Sequence, residues 1–137
     1  MDKYLSRLNN IFLQYEEIKL VYLFGSQATK KATPLSDFDF ALYLDPNINI
    51  QREKEIILKL ISEISLIINN NNIDIVSLNR SPSSLLKFNV LKEGRLIYQK
   101  PPYKILVEPT IYNEYFDFQT FTQSHNLWPI LTFLTIN

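Results

Sequence analysis

The sequence predicts an α/β domain of the α+β kind, in which a small mixed β-sheet is flanked by helices. The first observation is that segments with the 3.6-residue apolar period of amphipathic helices alternate with short β-branched and aromatic runs typical of strands. The second is their order along the chain: helix, strand, strand, helix, strand, helix, strand, helix. The third is composition, because 46% hydrophobic and 20% charged residues in a chain of 137 suffice for one buried core.

The first half of the chain supplies a helix and two strands. The run IKLVYLF, Ile18–Phe24, is β-branched and aromatic and stops at Gly25, which predicts a buried strand. The run DFDFALYL, Asp37–Leu44, alternates with period two, so Phe38 and its even-numbered neighbours share one face and the acids share the other. The first helix is predicted from apolar residues at helical spacing: Tyr4, Leu5, Leu8, Ile11, Phe12 and Tyr15.

The second half supplies three helices and two strands. We expect residues 1–100 to form the domain, and residues 101–137 to add a C-terminal helix and an apolar tail that pack on it or on a partner. The chain breaks between these parts at Pro101-Pro102. The predicted elements are a helix at Gln51–Ile68, a strand at Ile73–Leu78, a helix capped by Ser81 and ending near Gly94, the strand RLIYQ, and a helix from near Pro109.

Charge and composition exclude several functional classes. Fourteen basic and fourteen acidic residues give a net charge of zero, which argues against an extended nucleic-acid surface. Without cysteine there is no disulfide and no thiolate metal site. The N-terminus lacks the apolar core of a signal peptide, and no stretch is long and apolar enough for a membrane span. We therefore expect a cytoplasmic protein with no membrane partner.

Two acids one residue apart on a strand are the clearest candidate for chemistry. Side chains two residues apart on a strand point the same way, about 7 Å apart, so Asp37 and Asp39 project together. Their carboxylates repel unless a cation lies between them, and oxygen ligands favour Mg²⁺ or Mn²⁺. Upstream, Gly25 permits close backbone approach and Ser26 adds a hydroxyl beside amide groups, a combination that could bind a polyphosphate.

A third acid completes the candidate site. Asp74 lies within the predicted strand IDIVSL and converges with Asp37 and Asp39 if the two strands are neighbours. Three carboxylates and a triphosphate describe a two-metal phosphoryl-transfer site. Plainer interpretations remain open, since the paired acids could belong to a solvent-facing strand edge and Asp74 to the surface. Ser26 could cap a following helix.

The stretch Gly25–Leu44, with its Gly-Ser turn and Asp-Phe-Asp strand, resembles the active-site signature of the polymerase-β-type nucleotidyltransferases. In motif order the resemblance extends over roughly Val21–Tyr98, with IDIVSLN supplying the third Asp and LKEGRLIYQ following it. In its short length and in the segment ATPLSDFDFAL, the chain most resembles the minimal nucleotidyltransferases, the antitoxin branch of HEPN/MNT toxin–antitoxin pairs. The resemblance implies a polymerase-β-like fold and a HEPN-domain toxin as partner.

The resemblance also implies roles for individual residues. Gly25 and Ser26 would hold the β- and γ-phosphates of ATP, and Asp37 and Asp39 would ligate two Mg²⁺ ions, with Mn²⁺ as a substitute. Asp74 would ligate the catalytic metal and help to deprotonate the attacking hydroxyl. The implied reaction transfers AMP from ATP to a tyrosine hydroxyl of the toxin and releases pyrophosphate.

The loop after the Gly-Ser turn departs from the family pattern. The family sequence is Gly-Ser-x-Ala-Arg-Gly, whereas this chain has Thr29 in place of the arginine and Lys30 in place of the second glycine. Lysine lacks the freedom of glycine at positive φ. The ammonium groups of Lys30 and Lys31 could replace the guanidinium in part as point charges on the nucleotide, without its bidentate geometry, or the two lysines could simply belong to a solvated loop. This departure bears on turnover more than on metal binding.

Two alternative functions follow. The chain could be a catalytically weak antitoxin that neutralises its toxin by binding, with its final helix and tail as the interface. It could also transfer the nucleotide to a small-molecule hydroxyl, as on an aminoglycoside.

His125, the single histidine, lies in the tail from Phe121, which matches no family motif, and we expect no catalytic role for it. We expect a set of aromatic residues to belong to the core rather than to a partner-binding face: Tyr112, Tyr115, Phe116 and Phe118.

Overall fold

The computed structural model of the chain describes residues 1–25, 28 and 37–124. The predicted order of elements is confirmed, with a 3₁₀ turn at Asp2–Tyr4 preceding them. The elements are α1 (Leu5–Leu13), β1 (Ile18–Phe24), β2 (Phe38–Leu44), α2 (Ile50–Ile68), β3 (Ile73–Ser77), α3 (Ser84–Glu93), β4 (Arg95–Gln99) and α4 (Tyr103–Ser124).

The four strands form one mixed sheet in the order β3-β2-β1-β4. Strand β1 pairs antiparallel with both β2 and β4, and β2 pairs parallel with β3. A parallel pair requires a crossover connection, and α2 supplies it between β2 and β3. The predicted class of small mixed sheet flanked by helices is therefore confirmed.

The sheet is covered on both faces, and the alternation of β2 decides which residues face which layer. Phe38, Phe40, Leu42 and Leu44 pack with the buried residues of α1 and α2. Ala41 lies on the opposite face, in a second cluster with Val90 of α3 and Val107 and Ile111 of α4. Asp39 shares the face of Ala41 because alternate residues of a strand point the same way.

The N-terminus of α3 differs from the prediction. Ser83, rather than Ser81, is the N-cap, and its side chain accepts a hydrogen bond from the backbone N–H of Leu86 at 3.1 Å. The Ser81 hydroxyl instead accepts from the backbone N–H of Ser83 at 3.3 Å, so it shapes the turn before the helix. Both serines satisfy the general preference for short polar side chains at this position, and the turn geometry selects between them.

The last helix also begins earlier than predicted, at Tyr103 rather than near Pro109, and the chain enters it through the cis peptide bond Pro101-Pro102. Pro109 lies inside α4 on its exposed side, where water can reach the carbonyl that loses its amide partner. Packing of Val107 and Ile111 against the sheet outweighs the local preference of proline for a first helical turn.

A buried acid fixes α2 against the end of β3. Glu53 is 3% exposed, and its carboxylate accepts hydrogen bonds from the hydroxyl of Ser77 at 2.5 Å and from Nε of Arg80 at 2.9 Å. The guanidinium of Arg80 also donates to the carbonyl of Ile48 at 3.1 Å. These bonds compensate the desolvation of the carboxylate and define how α2 lies along the sheet.

Among the described helices, none combines the length and apolarity that crossing a bilayer requires.

Candidate active site

Asp39 and Asp74 lie side by side on neighbouring strands. In the parallel pairing of β2 with β3, Asp39 is the register partner of Asp74. Adjacent strands are about 4.8 Å apart, and residues in parallel register point to the same face. The sequence analysis expected Asp74 to approach Asp39 only if their strands were neighbours. They are, and the two acids lie at the N-terminal ends of β2 and β3.

Asp37 directly precedes β2 and is exposed. The next residue, Phe38, donates its backbone N–H to the carbonyl of Asn72 at 2.8 Å, which fastens the start of β2 to the start of β3. Asp37 is thus held at the same edge of the sheet as Asp39 and Asp74. The structure brings together all three acids that the sequence singled out.

The neighbouring acids change the pKa of Asp39. Its pKa is raised above the ordinary value of an aspartate, first because burial disfavours its charge and then because the carboxylates of Asp74 and Asp37 repel it. The neighbouring negative charges and partial burial are the conditions under which a cation gains most from binding.

Gly25, at the end of β1, has a φ of +73°, a backbone conformation that residues with side chains rarely adopt. A Cβ placed there would lie 2.5 Å from Oδ2 of Asp39. The glycine therefore serves the backbone turn and, equally, leaves room for the Asp39 carboxylate. The preceding residue, Phe24, is the register partner of Asp39 in the pairing of β1 with β2, which holds the turn next to the acids.

The polar run of four asparagines between α2 and β3, residues 69–72, sets the position of the third acid. Asn69 ends α2 in the left-handed conformation, with a φ of 58°, and its backbone N–H donates to the carbonyl of Ser65. Asn72 then accepts the hydrogen bond from Phe38 that aligns β3 with β2. Asparagine after a helical run is a known mark of such a helix end, so the helix stop was readable, but the strand alignment was not.

The donor set fits a hard cation in its chemistry, since it consists of carboxylate oxygens of the kind that bind Mg²⁺ or Mn²⁺. As they stand in residues 1–25, 28 and 37–124, no group of three or more His, Cys, Asp or Glu side chains is arranged to hold a metal ion. Asp39 and Asp74 are in register, and Asp37 adds its charge next to Asp39, so a bound cation would draw these carboxylates together.

Other predicted site residues lie outside the described part of the chain: Ser26 and Lys30 of the nucleotide-binding set, Thr29 and Lys31 of the loop, and His125. Of the aromatic set predicted for the core, Tyr115 is buried, Tyr112 and Phe118 are half-buried, and Phe116 is exposed. The prediction is therefore wrong for Phe116, which is 51% exposed because it lies at the margin of the α3–α4 contact, with only its edge toward the Phe88 ring.

A cavity of about 420 Å³ lies on the same sheet face, toward the opposite end of β2. It is lined by Tyr43, Lys87, Tyr103 and Glu114 among others, and Lys87 donates to both carboxylate oxygens of Glu114 at 2.9 and 3.0 Å. Tyr43 is four residues beyond Asp39, about 13 Å along the strand. The fully buried Ala41 lies between them, so the cavity is separate from the acids.

The sequence matches the family described as "Polymerase beta, Nucleotidyltransferase" over residues 6–103. This match covers most of the chain, and the chain therefore belongs to the polymerase-beta nucleotidyltransferase family, as the resemblance of its motifs predicted. The matched range runs from the first turn of α1 to the first residue of α4.

A curated relative is the protein adenylyltransferase MntA of Aphanizomenon flos-aquae (strain 2012/KM1/D3), which is 37% identical over 90 residues. The aligned part amounts to 61% of this chain and 59% of the relative, so the chain spans about three fifths of the length of MntA.

Solved structures share the fold. A toxin–antitoxin structure with AMP-PNP has a TM-score of 0.68 at 21% identity, over 90% of this chain and 93% of the other. A structure of the tri-AMPylated Shewanella oneidensis HEPN toxin in complex with MNT antitoxin has a TM-score of 0.60 at 21% identity, over 88% and 93%. The predicted polymerase-β-like fold is therefore confirmed.

Proposed function

We propose that the chain is a Mg²⁺-dependent nucleotidyltransferase that transfers AMP from ATP to a tyrosine hydroxyl of a HEPN-domain toxin and thereby acts as its antitoxin. The observation that carries the proposal is the register pairing of Asp39 with Asp74 beside Gly25 in a chain of this family. We retain as predictions the cytoplasmic location, ATP as donor, and the division into a domain at 1–100 and an added segment at 101–137.

The proposed reaction is one displacement at phosphorus. The tyrosine oxygen attacks the α-phosphorus of ATP, the bond from that phosphorus to the bridging oxygen breaks, and pyrophosphate leaves. Two bound divalent ions would compensate the negative charge of the attacking and leaving oxygens. Asp37 and Asp39 would hold both ions, and Asp74 would hold one of them and take the proton of the hydroxyl. Gly25 and Ser26 would bind the β- and γ-phosphates.

Asp39 is suited to this role by its environment. Burial and the nearby carboxylates of Asp74 and Asp37 raise the pKa of Asp39, so its ionised form is less favourable than that of an isolated aspartate. A bound divalent cation would neutralise this repulsion, and its binding would be stronger by the energy so relieved. Similar proteins support the remaining assignments, because the relative MntA is described as a protein adenylyltransferase and the structures that share the fold contain AMP-PNP or an AMPylated HEPN toxin.

The proposal is tested by incubating the chain with α-³²P-ATP, Mg²⁺ and the product of the gene adjacent to its own, the expected HEPN-domain partner. We expect label on the partner, removed by Tyr→Phe substitution of the acceptor, and at least about 10²-fold slower labelling with Asp39→Asn or Asp74→Asn. Omission of the metal should give the same loss. Full neutralisation of the toxin by Asp39→Asn without any label would contradict the enzymatic proposal.

The same substitution gives a prediction on stability. With EDTA present, Asp39→Asn should raise the melting temperature at pH 7.5 by about 2 °C, because it removes a repelled charge that solvent partly screens. The folded-state pKa of Asp39 is raised, so lowering the pH protonates the wild-type carboxyl in the folded protein first. The difference should therefore shrink as the pH falls toward 3.8. Scanning fluorimetry that finds Asp39→Asn less stable at pH 7.5 would disprove the repulsion.

A second candidate is an antitoxin that neutralises by contact. The observation that favours it is the replacement of the family arginine and glycine by Thr29 and Lys30, which removes a bidentate donor from the predicted phosphate loop. The labelling experiment separates the two candidates, since the contact mechanism tolerates Asp39→Asn and requires no ATP.

A further inference from the structure

We propose that an exposed apolar stripe on α4 is the surface on which a helix of the protein partner docks. The stripe, called the α4 stripe below, consists of Ile105, Pro109, Tyr112 and Phe116. The inference rests on the proposed function, because it assigns the site at which the toxin substrate is held.

The spacing of the α4 stripe is that of a helix-packing seam. Its members occupy positions i, i+4, i+7 and i+11, which fall within about 60° of arc on an α-helix. The stripe is about 16 Å long and carries no charged residue. Apolar residues at this spacing are how one helix presents ridges to another helix.

The α4 stripe is not buried by the domain. Ile105 is 77% and Phe116 is 51% exposed, whereas Val107, Ile111 and Tyr115 on the inner side of α4 are buried. A helix that is apolar on both sides is typical of one buried on both sides. The described residues of the domain cover one side of α4 and leave the α4 stripe on the other side uncovered.

Phe88 of α3 widens the stripe into a firm aromatic surface. Its ring stacks on Tyr115 with centroids 4.0 Å apart and meets Tyr112 and Phe116 edge-on at 5.7 and 6.1 Å. Lys92 lies over the Phe88 ring, 5.9 Å from its centroid. Aromatic residues held rigidly by one another lose little side-chain entropy on binding and are enriched in the energetically dominant positions of interfaces.

The position of the surface suits a partner whose side chain must reach the acids. Helix α3 ends at Gly94, where an added Cβ would lie 3.2 Å from the carbonyl of Leu23, two residues before Gly25. Phe88 precedes Gly94 by about 9 Å of helix. Helices α3 and α4 cover the sheet face that the acids share, so a partner bound to the α4 stripe lies on the same side of the domain as Asp39.

The family match ends at residue 103, where α4 begins. The sequence pattern shared by the family therefore does not fix the outer surface of α4, which leaves this surface free to specify a partner. A second apolar patch lies on α2, where Leu58 and Leu66 are 68% and 84% exposed. Because α2 covers the opposite face of the sheet from the acids, this patch is the matched control.

The experiment compares two double variants of the full chain, Ile105→Glu with Phe116→Glu on α4 and Leu58→Glu with Leu66→Glu on α2. Each adds two acids at exposed leucine, isoleucine or phenylalanine positions, and circular dichroism melting verifies that both fold. Calorimetry measures binding to the product of the adjacent gene, the expected HEPN-domain partner, and α-³²P-ATP measures AMP transfer. We expect the α4 variant to lose at least about 30-fold in affinity and the α2 variant to bind as the wild type does.

Each outcome decides the inference. An α4 variant that binds and is as active as the wild type overturns the stripe as docking surface and leaves the proposed function intact. A wild-type chain that binds through the stripe but transfers no AMP overturns the proposed reaction and leaves the stripe intact. A wild-type dimer, seen by light scattering and dissociated by the α4 substitutions, would assign the stripe to a second copy and overturn the inference, as would a wild-type chain that does not bind the toxin.

Discussion

Asp39 is the residue at which the requirements of folding and of chemistry conflict most. Its neighbours Phe38 and Phe40 are buried in the core between the sheet and α2, so β2 cannot move away from α2. Asp39 must therefore remain next to Asp74 even though the two carboxylates repel. Strain of this kind, held in place by packing on the other face of the strand, is typical of a site prepared for a ligand of opposite charge.

Gly25 gives a sharp prediction at the same scale. Gly25→Ala should cost about 1 to 3 kcal/mol of unfolding free energy, since φ is +73° and a Cβ would approach Oδ2 of Asp39 to 2.5 Å. Because the carboxylate must shift, AMP transfer measured below the melting range should fall at least about 10²-fold.

Gly94→Ala is the control for this effect. A Cβ at Gly94 would lie 2.1 Å from the carbonyl oxygen of Val90, so this variant should also lose stability, as measured by urea unfolding. It does not approach the acids, and we expect it to retain most of the transfer rate at low temperature. Equal losses of activity in both variants would show that Gly25 acts through stability alone.

The alternation of β2 was sufficient to predict the direction of Asp39, because side-chain direction on a strand is a local property. Its pairing with Asp74 was not predictable from the residues alone. That pairing depends on α2 returning the chain to the neighbouring position in the sheet, and on the hydrogen bond from Phe38 to Asn72 that sets the register. Both are tertiary properties.

At the scale of elements, the ends of helices were the least predictable features. Ser81 and Ser83 are equally good caps by composition, and the structure selects Ser83. Pro109 is a common first-turn residue, yet α4 begins six residues earlier, at Tyr103. In both cases the element itself was predicted, whereas its boundary depended on contacts with other elements that a local pattern does not contain.

The assignment of the α3 cap can be tested by comparing two alanine variants. Ser83→Ala should lower the unfolding free energy by about 1 kcal/mol, because the N–H of Leu86 loses its acceptor. Ser81→Ala should cost less, since its bond to the N–H of Ser83 is long, at 3.3 Å, and lies outside the helix. Urea denaturation measures both, and a larger loss in Ser81→Ala would return the cap to Ser81.

At the scale of the whole molecule, a polar contact joins the layer formed by α1 and α2. The hydroxyl of Tyr15, just after α1, donates to Oε1 of Glu63 in α2 at 2.5 Å. Burial and this hydrogen bond to a carboxylate raise the pKa of Tyr15 to about 12. The hydrogen bond of Tyr15 to Glu63, like the ion pair of Glu17 with Arg52 nearby, therefore adds a polar contact to the apolar packing of this layer.

Tyr15→Phe should lower the unfolding free energy at pH 8 by about 1 to 1.5 kcal/mol. The pKa of the folded state is raised, so the stabilisation is complete below the ordinary tyrosine value near 10 and is lost as the pH rises through about 12. Urea titrations from pH 8 to 11.5 should show the gap between variant and wild type narrowing. A gap that widens with pH would contradict the hydrogen-bond assignment.

The register of β2 with β3 has a consequence for which length changes the molecule tolerates. Successive side chains of a strand point to opposite faces, so a shift by one residue moves every following side chain to the other face. One residue inserted or deleted before Asp39 in β2, or before Asp74 in β3, would therefore point that carboxylate into the apolar layer under α2. The same shift would send Phe40 or Ile75 outward. Insertions within the two strands should therefore abolish folding and activity together, and viable length variants should be confined to the turns between elements.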